Sequence, residues 1–320
     1  MPDVIALGEI LIDFTPSGFS GSGNPVFERN PGGAPANVLA LLSKLGVSTE
    51  FIGKAGDDIF GRELKDILSD SGIGTEGLIL SKQYNTTLAF VELDKSGDRS
   101  FGFVRNFGAD KMLTPADVKL SLLDSSKIFH FGGVSLTDEP SRTATLKTAE
   151  EAKKRGLTIT YDPNYREPLW KNKNTAIEIL RAGLTLSDVV KVSDDECRML
   201  SETEDLNEGA RRIARDYGVK LLFITLGAQG SAYFYNGVYK KQPAFRVDTI
   251  DTTGAGDAFF GGILYSFIKS GKKTEELTVG DIDRFTMFAS AAGALVTTKK
   301  GALLSMPTKS EIENFLKENG

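Results

Sequence analysis

Two rhythms of apolar and polar residues run along this chain. Short runs that are apolar on both faces predict buried strands: VIALGEILIDF at 4–14, EFIGKAG at 50–56, KIFHFGG at 127–133, LTITYD at 157–162, DVVKVS at 188–193 and KLLFITLG at 220–227. Between them, GRELKDILSDSG at 61–72, TATLKTAEEAKKRG at 143–156 and EGARRIARDYG at 208–218 repeat their apolar positions at helical spacing. Three further helices are expected at 257–270, about 281–298 and 308–318, with Phe259, Phe260, Ile263, Leu264, Phe267, Phe285, Phe288 and Leu295 in the core. Strands alternating with helices define an α/β domain with a mainly parallel sheet covered on each face, and ligands of such sheets sit beyond the carboxyl ends of the strands.

Two regions break the rhythm. Residues 15–31 are polar and rich in turn formers, and 86–105 alternate apolar and polar residues around Lys95-Ser96-Gly97-Asp98, the pattern of an antiparallel hairpin. Both are read as a small β lid, formed by about 12–33 and 84–108, on a single domain spanning 1–320.

Charge and cysteine content narrow the function. A net charge of −5 gives no cationic surface on average, so nucleic acid is not an expected partner and small molecules are. Cys197 is the single cysteine, which excludes an intramolecular disulfide and a cysteine-built zinc or iron–sulfur site; His130 is also alone. Glu9 and Asp13 interrupt the first apolar stretch, which therefore reads as a strand and not a signal peptide. No run reaches the roughly 18 apolar residues of a spanning helix, so a cytoplasmic protein without a membrane partner is expected.

The sharpest motif is Asp251-Thr252-Thr253-Gly254-Ala255-Gly256-Asp257, running straight into AFFGGILYSFI. Small residues let the backbone approach a ligand, and a helix starting here aims unpaired N–H groups and its positive end at the turn, which makes an anion site. In the helix's first turn, Asp257 is placed to accept the proton of a hydroxyl attacking phosphorus, while Gly254, Ala255 and Gly256 stabilise the transferring charge. A second motif, Pro31-Gly32-Gly33-Ala34-Pro35-Ala36-Asn37, precedes the helical NVLALLSKLG. Its glycines open backbone N–H groups to sugar hydroxyls, and Asn37 supplies both a donor and an acceptor. Asp13, at the end of the first strand, offers a carboxylate suited to a vicinal diol.

The first string matches the second signature of the ribokinase-like carbohydrate kinases, and the second resembles their first signature, with Leu39 where that family usually has a small residue. Within the family, GEILIDFTP, PGGAPANV, FIGKAGDDIFGREL, YDPNYREPLW and DTTGAGDAFFGGIL look most like fructokinase segments, in order along nearly the whole chain. The resemblance implies a three-layer α/β/α fold with a β lid, and transfer of phosphate from ATP to a sugar hydroxymethyl group with Asp257 as base. It implies sugar contacts from Asp13, Gly32, Gly33, Asn37, the lid residues Phe90 and Phe103, and the guanidinium groups of Arg105 and Arg166. Nucleotide contacts are implied for Thr225, Gly227, Gly230, Gly254, Gly256 and Ser290, the last standing where many relatives have Asn. Ser193-Asp194-Asp195-Glu196 replaces the family's Asn-x-x-Glu, with Glu196 ordering water on a magnesium ion. Potassium near Asp251 and the loop ending at Gly301, and a homodimer built through the lid, are further implications. The same base and cradle would serve a 2-keto-3-deoxygluconate kinase or an aminoimidazole-riboside kinase, and a noncatalytic sugar or nucleotide sensor could keep the fold. A sensor, however, has no need of Asp257. A nicotinamide dehydrogenase is disfavoured because no Gly-x-Gly-x-x-Gly follows the first strand, and a Walker P-loop is absent because Ala55 follows Gly53-Lys54.

Overall fold

Successive side chains of a strand point to opposite faces, and in β1 (Val4–Leu7) they enter two separate cores. Val4 and Ala6 join one, Ile5 and Leu7 the other. The computed structural model describes residues 2–93 and 99–319; the expected turn at Lys95–Asp98 lies outside them. After β1 come β2 (Leu11–Phe19), β3 (Pro25–Gly32), α1 (Ala34–Lys44), β4 (Thr49–Gly56), α2 (Ile59–Asp70), β5 (Ile73–Ser81), β6 (Leu88–Leu93) and β7 (Arg99–Val104). Then follow β8 (Ile128–Gly132), α3 (Ser141–Lys154), β9 (Thr158–Asp162), α4 (Lys173–Leu186), β10 (Val189–Ser193), α5 (Asp194–Ser201) and α6 (Leu206–Tyr217). The chain continues through β11 (Leu221–Thr225), β12 (Ser231–Tyr235), β13 (Val238–Gln242), α7 (Ala255–Ser270), α8 (Val279–Val296) and α9 (Lys309–Asn319).

A nine-stranded sheet runs β13-β12-β11-β10-β9-β8-β1-β4-β5 and is parallel except at β11–β12 and β12–β13. Residues of α1, α2, α7, α8 and α9 pack on one face and of α3, α4, α5 and α6 on the other, which gives the three-layer ribokinase-like fold. A four-stranded lid sheet, β3-β2-β6-β7, stands apart from it.

The single first strand expected over 4–14 is two strands in two different sheets. The break falls at Gly8, whose backbone approaches Pro35 of α1 so closely that a Cβ would lie 2.5 Å from the proline Cγ. Asp13 is therefore a lid residue, in β2, and does not end the first strand. Pairing then sorts the lid side chains by parity: Asp13 sits opposite Ala89, which sits opposite Phe103, while Phe14 sits opposite Phe90. Asp13 and Phe103 share one face of the lid, and Phe14 and Phe90 the other.

Candidate active site

The lid face bearing Asp13 and the carboxyl ends of β9 and β10 bound a cleft of about 1090 Å³. Its wall includes Glu9, Asp13, Gly33, Asn37, Phe103, Arg166, Lys191, Ser193, Glu196, Gly254, Gly256 and Asp257. Most of the residues singled out in the two glycine motifs thus meet in one place, across more than half the chain.

The floor is the start of α7. Gly254 precedes it with φ 78°, a left-handed conformation, and a Cβ there would lie 2.6 Å from that of Ala302. The turn is pinned from outside by Asp251, whose carboxylate accepts the N–H groups of Thr253 (2.7 Å) and Gly301 (3.1 Å). Asp257, one turn in, is half-buried and accepts a hydrogen bond from Asn37 Nδ2 at 2.8 Å. Loss of hydration raises its pKa to about 6, opposed by Lys191, the Asn37 hydrogen bond and Arg166 and reinforced by Asp162. At neutral pH Asp257 is therefore mostly ionised, yet far more basic than an ordinary carboxylate.

The acceptor side is built from β2 and the entry to α1. Gly33 adopts φ 127°, and a side chain there would run into the Glu9 carbonyl; a side chain at Gly32 would displace the Asp13 carboxylate. Asp13 itself is raised to about 7 by burial, with Arg166 lowering and Asp251 raising it. Arg166, half-buried between β9 and the cleft, donates to the Tyr165 carbonyl at 3.1 Å and lies close enough to Asp13 and Asp257 to act on both charges.

Two expected sugar contacts are corrected. Phe90 stacks on Phe14 at 4.9 Å between ring centres and meets Phe27 edge-on, on the lid face opposite Asp13; strand parity turns it away from the cleft. Arg105 is 6% exposed and is not part of the cleft wall. Its guanidinium pairs with buried Asp110 at 2.7 Å and donates to Thr137 Oγ1 and the Val134 carbonyl, so it supports the wall from behind.

Glu196 forms a capping box with Ser193: Ser193 Oγ accepts the Glu196 N–H, and Glu196 Oε2 accepts the Ser193 N–H at 2.7 Å. Its Oε1 accepts the Tyr165 N–H at 2.6 Å. Among the described residues no cluster of three or more acidic, histidine or cysteine groups could cage a metal. Glu196 lines the cleft as a single carboxylate, a donor that would suit a magnesium ion carried in on nucleotide phosphates and keeping its waters. Thr225 ends β11 opposite Ser193 across the ladder, Gly227 and Gly230 occupy the turn that follows, and Ser290 lies on α8; none of the four is part of the cleft wall.

Three buried residues of the wall and floor were not singled out from sequence as site residues. Glu9 accepts the Ala34 N–H through Oε1 at 2.9 Å, its Oε2 has no hydrogen-bond partner, and burial raises it to about 7. Lys191 donates to Asp162 Oδ2 at 2.7 Å, both side chains being almost wholly enclosed. A lone lysine within the apolar run DVVKVS was the available signal.

The structure superimposes on fructokinase from Xylella fastidiosa with bound ATP with a TM-score of 0.92 and 32% identity, covering 99% of each chain. Fructokinase from Vibrio cholerae O395, solved as a double mutant with fructose, ADP and potassium, matches with a TM-score of 0.88 and 30% identity over 98% of each chain. It has also been solved with fructose, ADP and calcium, at 31% identity and a TM-score of 0.88, over 98% of this chain and 99% of that one. These are sugar-phosphorylating enzymes on the ribokinase-like scaffold. More particularly, residues 1–309 match the model of the pfkB family carbohydrate kinases, and the chain belongs to that family. Probable fructokinase-3 of Arabidopsis thaliana is 41% identical over 317 residues, covering 98% of this chain and 91% of that protein. The chain is accordingly a phosphotransferase acting on a carbohydrate alcohol, with nucleotide and sugar as substrates.

Proposed function

We propose that this carbohydrate kinase is an ATP-dependent fructokinase, converting ATP and D-fructose to ADP and D-fructose 6-phosphate. The observation that carries the reading is the Asn37–Asp257 hydrogen bond of 2.8 Å, which joins the glycine motif of the acceptor side to a base at the helix N-terminus. Fructose binds between Asp13, Gly32, Gly33, Asn37, Arg166 and Phe103, with ATP along the carboxyl edge past Thr225, Gly227, Gly230 and Ser290. Its γ-phosphoryl group rests on the Gly254–Gly256 turn, where N–H groups and the positive end of α7 face it. Asp257 takes the proton of the sugar hydroxymethyl as its oxygen bonds to the γ-phosphorus in line. The bond to the β,γ-bridging oxygen breaks, and ADP leaves with that electron pair. Glu196 would lie beside a magnesium ion carried in on the nucleotide phosphates, which would supply charge neutralisation.

The identity of the sugar follows the Xylella and Vibrio fructokinases and the plant relative. Potassium near Asp251 follows the Vibrio protein, which is solved with it. Phe19 and Phe107, 77% and 78% exposed on or beside the lid, are where a second copy would pair. Among the described residues no helix is long and apolar enough to cross a membrane. The test is ADP release with magnesium-ATP against fructose, ribose, glucose, 2-keto-3-deoxygluconate and aminoimidazole riboside. A kcat/KM for fructose at least tenfold above the others is expected; preference for another sugar overturns the substrate, and no turnover on any overturns the kinase reading.

A further inference from the structure

Strand parity decides where the buried Lys191 points. In β10, Val190 and Val192 enter the core beneath α3–α6, so Lys191, like Val189, faces the opposite layer, where α7 begins. In β9, Ile159 and Tyr161 take the first of these cores, which leaves Asp162 on the α7 side as well. The pair therefore meets directly under the Gly254–Gly256 turn: a Cβ added at Gly256 would lie 3.1 Å from Lys191 Nζ. The ammonium carries three N–H donors, and its one hydrogen bond to a described residue is to Asp162. Lys191 lines the same cleft as Gly256 and Asp257.

The surroundings call for positive charge. Asp162, Glu196 and Asp257 all act on Lys191 and together outweigh the effect of burial, which would lower its pKa; the net shift is upward and keeps it charged. A triphosphate entering this acidic floor meets Arg166 and Lys191 as the cations of the cleft near Asp257. A purely structural ion pair would have no reason to stand against the backbone of an anion-binding turn.

We propose that Lys191 is a further catalytic residue, whose ammonium, aimed by Asp162, donates to a nonbridging oxygen of the γ-phosphoryl group during transfer. The inference rests on the kinase reading above. Because only the γ-phosphoryl group is contacted, binding of ADP is insensitive to the residue and binding of ATP is not.

The test uses the full chain with Lys191→Met and Lys191→Arg, comparing kcat with the preferred sugar and calorimetric Kd values for magnesium-ADP and for β,γ-methylene-ATP. For Lys191→Met, kcat falls about 100-fold or more, as when one transition-state donor is removed. The ATP analogue binds more than tenfold weaker, and ADP stays within twofold. Lys191→Ala regains activity on addition of ethylammonium, a response that a merely structural pair would not give. If Lys191→Met unfolds, the charge-free double variant Lys191→Met/Asp162→Leu carries the same readouts. A kcat within threefold of wild type, or equal weakening of ADP and the ATP analogue, overturns the proposal. Absence of wild-type turnover on every sugar would instead be failure of the kinase reading.

Discussion

Replacing Asp257 by Asn removes the proton acceptor while keeping the shape of the site. The new amide can still accept the 2.8 Å hydrogen bond from Asn37 through Oδ1, and Gly254 with its 78° φ still starts α7, so the cradle persists. What is lost is the proton transfer itself, which a positioned base accelerates by about 10²–10⁴. At about 1.4 kcal/mol per decade this raises the barrier by about 3–5 kcal/mol. Removing a negative charge beside the incoming phosphates works the other way on binding, so the affinity for ATP should hold or rise. The assay is coupled ADP release under saturating sugar and ATP, with nucleotide Kd measured separately and pH varied from 5 to 8. Wild-type kcat should show an acidic limb near the Asp257 pKa of about 6, and the variant's residual activity should be flat through that range. A loss below tenfold, or persistence of the limb in the variant, would refute Asp257 as base.

Three other outcomes follow from the geometry. Burial raises Asp257 to about 6 and Asp13 to about 7, so acidification protonates both sooner than ordinary carboxylates; wild-type kcat/KM for the sugar should fall below pH 7 and more steeply below pH 6, and a first inflection near pH 4 would contradict this. Gly32→Ala forces its Cβ against the Asp13 carboxylate and should raise the sugar KM about tenfold or more with the ATP KM unchanged, checked by steady-state kinetics. Arg105→Leu strands Asp110 in the interior and should lower stability by about 3–5 kcal/mol in denaturant unfolding; a variant as stable as wild type would show the pair to be dispensable.

The parts of the fold and site carried by local pattern are legible in the sequence. The strands at 50–56, 127–133, 157–162, 188–193 and 220–227 and the helices at 61–72, 143–156 and 208–218 fall within two residues or so of those observed, because a continuous apolar run or a helical spacing of apolar positions is written in the segment itself. What escaped depends on partners distant in sequence. The division of 4–14 into β1 and β2 turns on the contact of Gly8 with Pro35; Gly8-Glu9 interrupts the run, but nothing local says that the second half joins another sheet. Phe90 looked like a sugar contact because its face is decided by pairing with Phe14, and Arg105 because Asp110 folds back onto it from a separate turn. Lys191 reads as an interruption of an apolar strand until β9 brings Asp162 beside it.

Four connections join the lid to the body, and two of them are very short: Gly8–Ile10 leads from β1 into β2, and Gly33 alone leads from β3 into α1. Such an attachment has a reading frame. One residue inserted between Leu7 and Leu11 would rotate the following strand by half a turn, sending Phe14 toward the cleft and Asp13 toward Phe60 on the far face. Lids exchanged between relatives should therefore keep function when the stalk lengths agree in parity and lose it when they differ by one, however similar the lid sequences are.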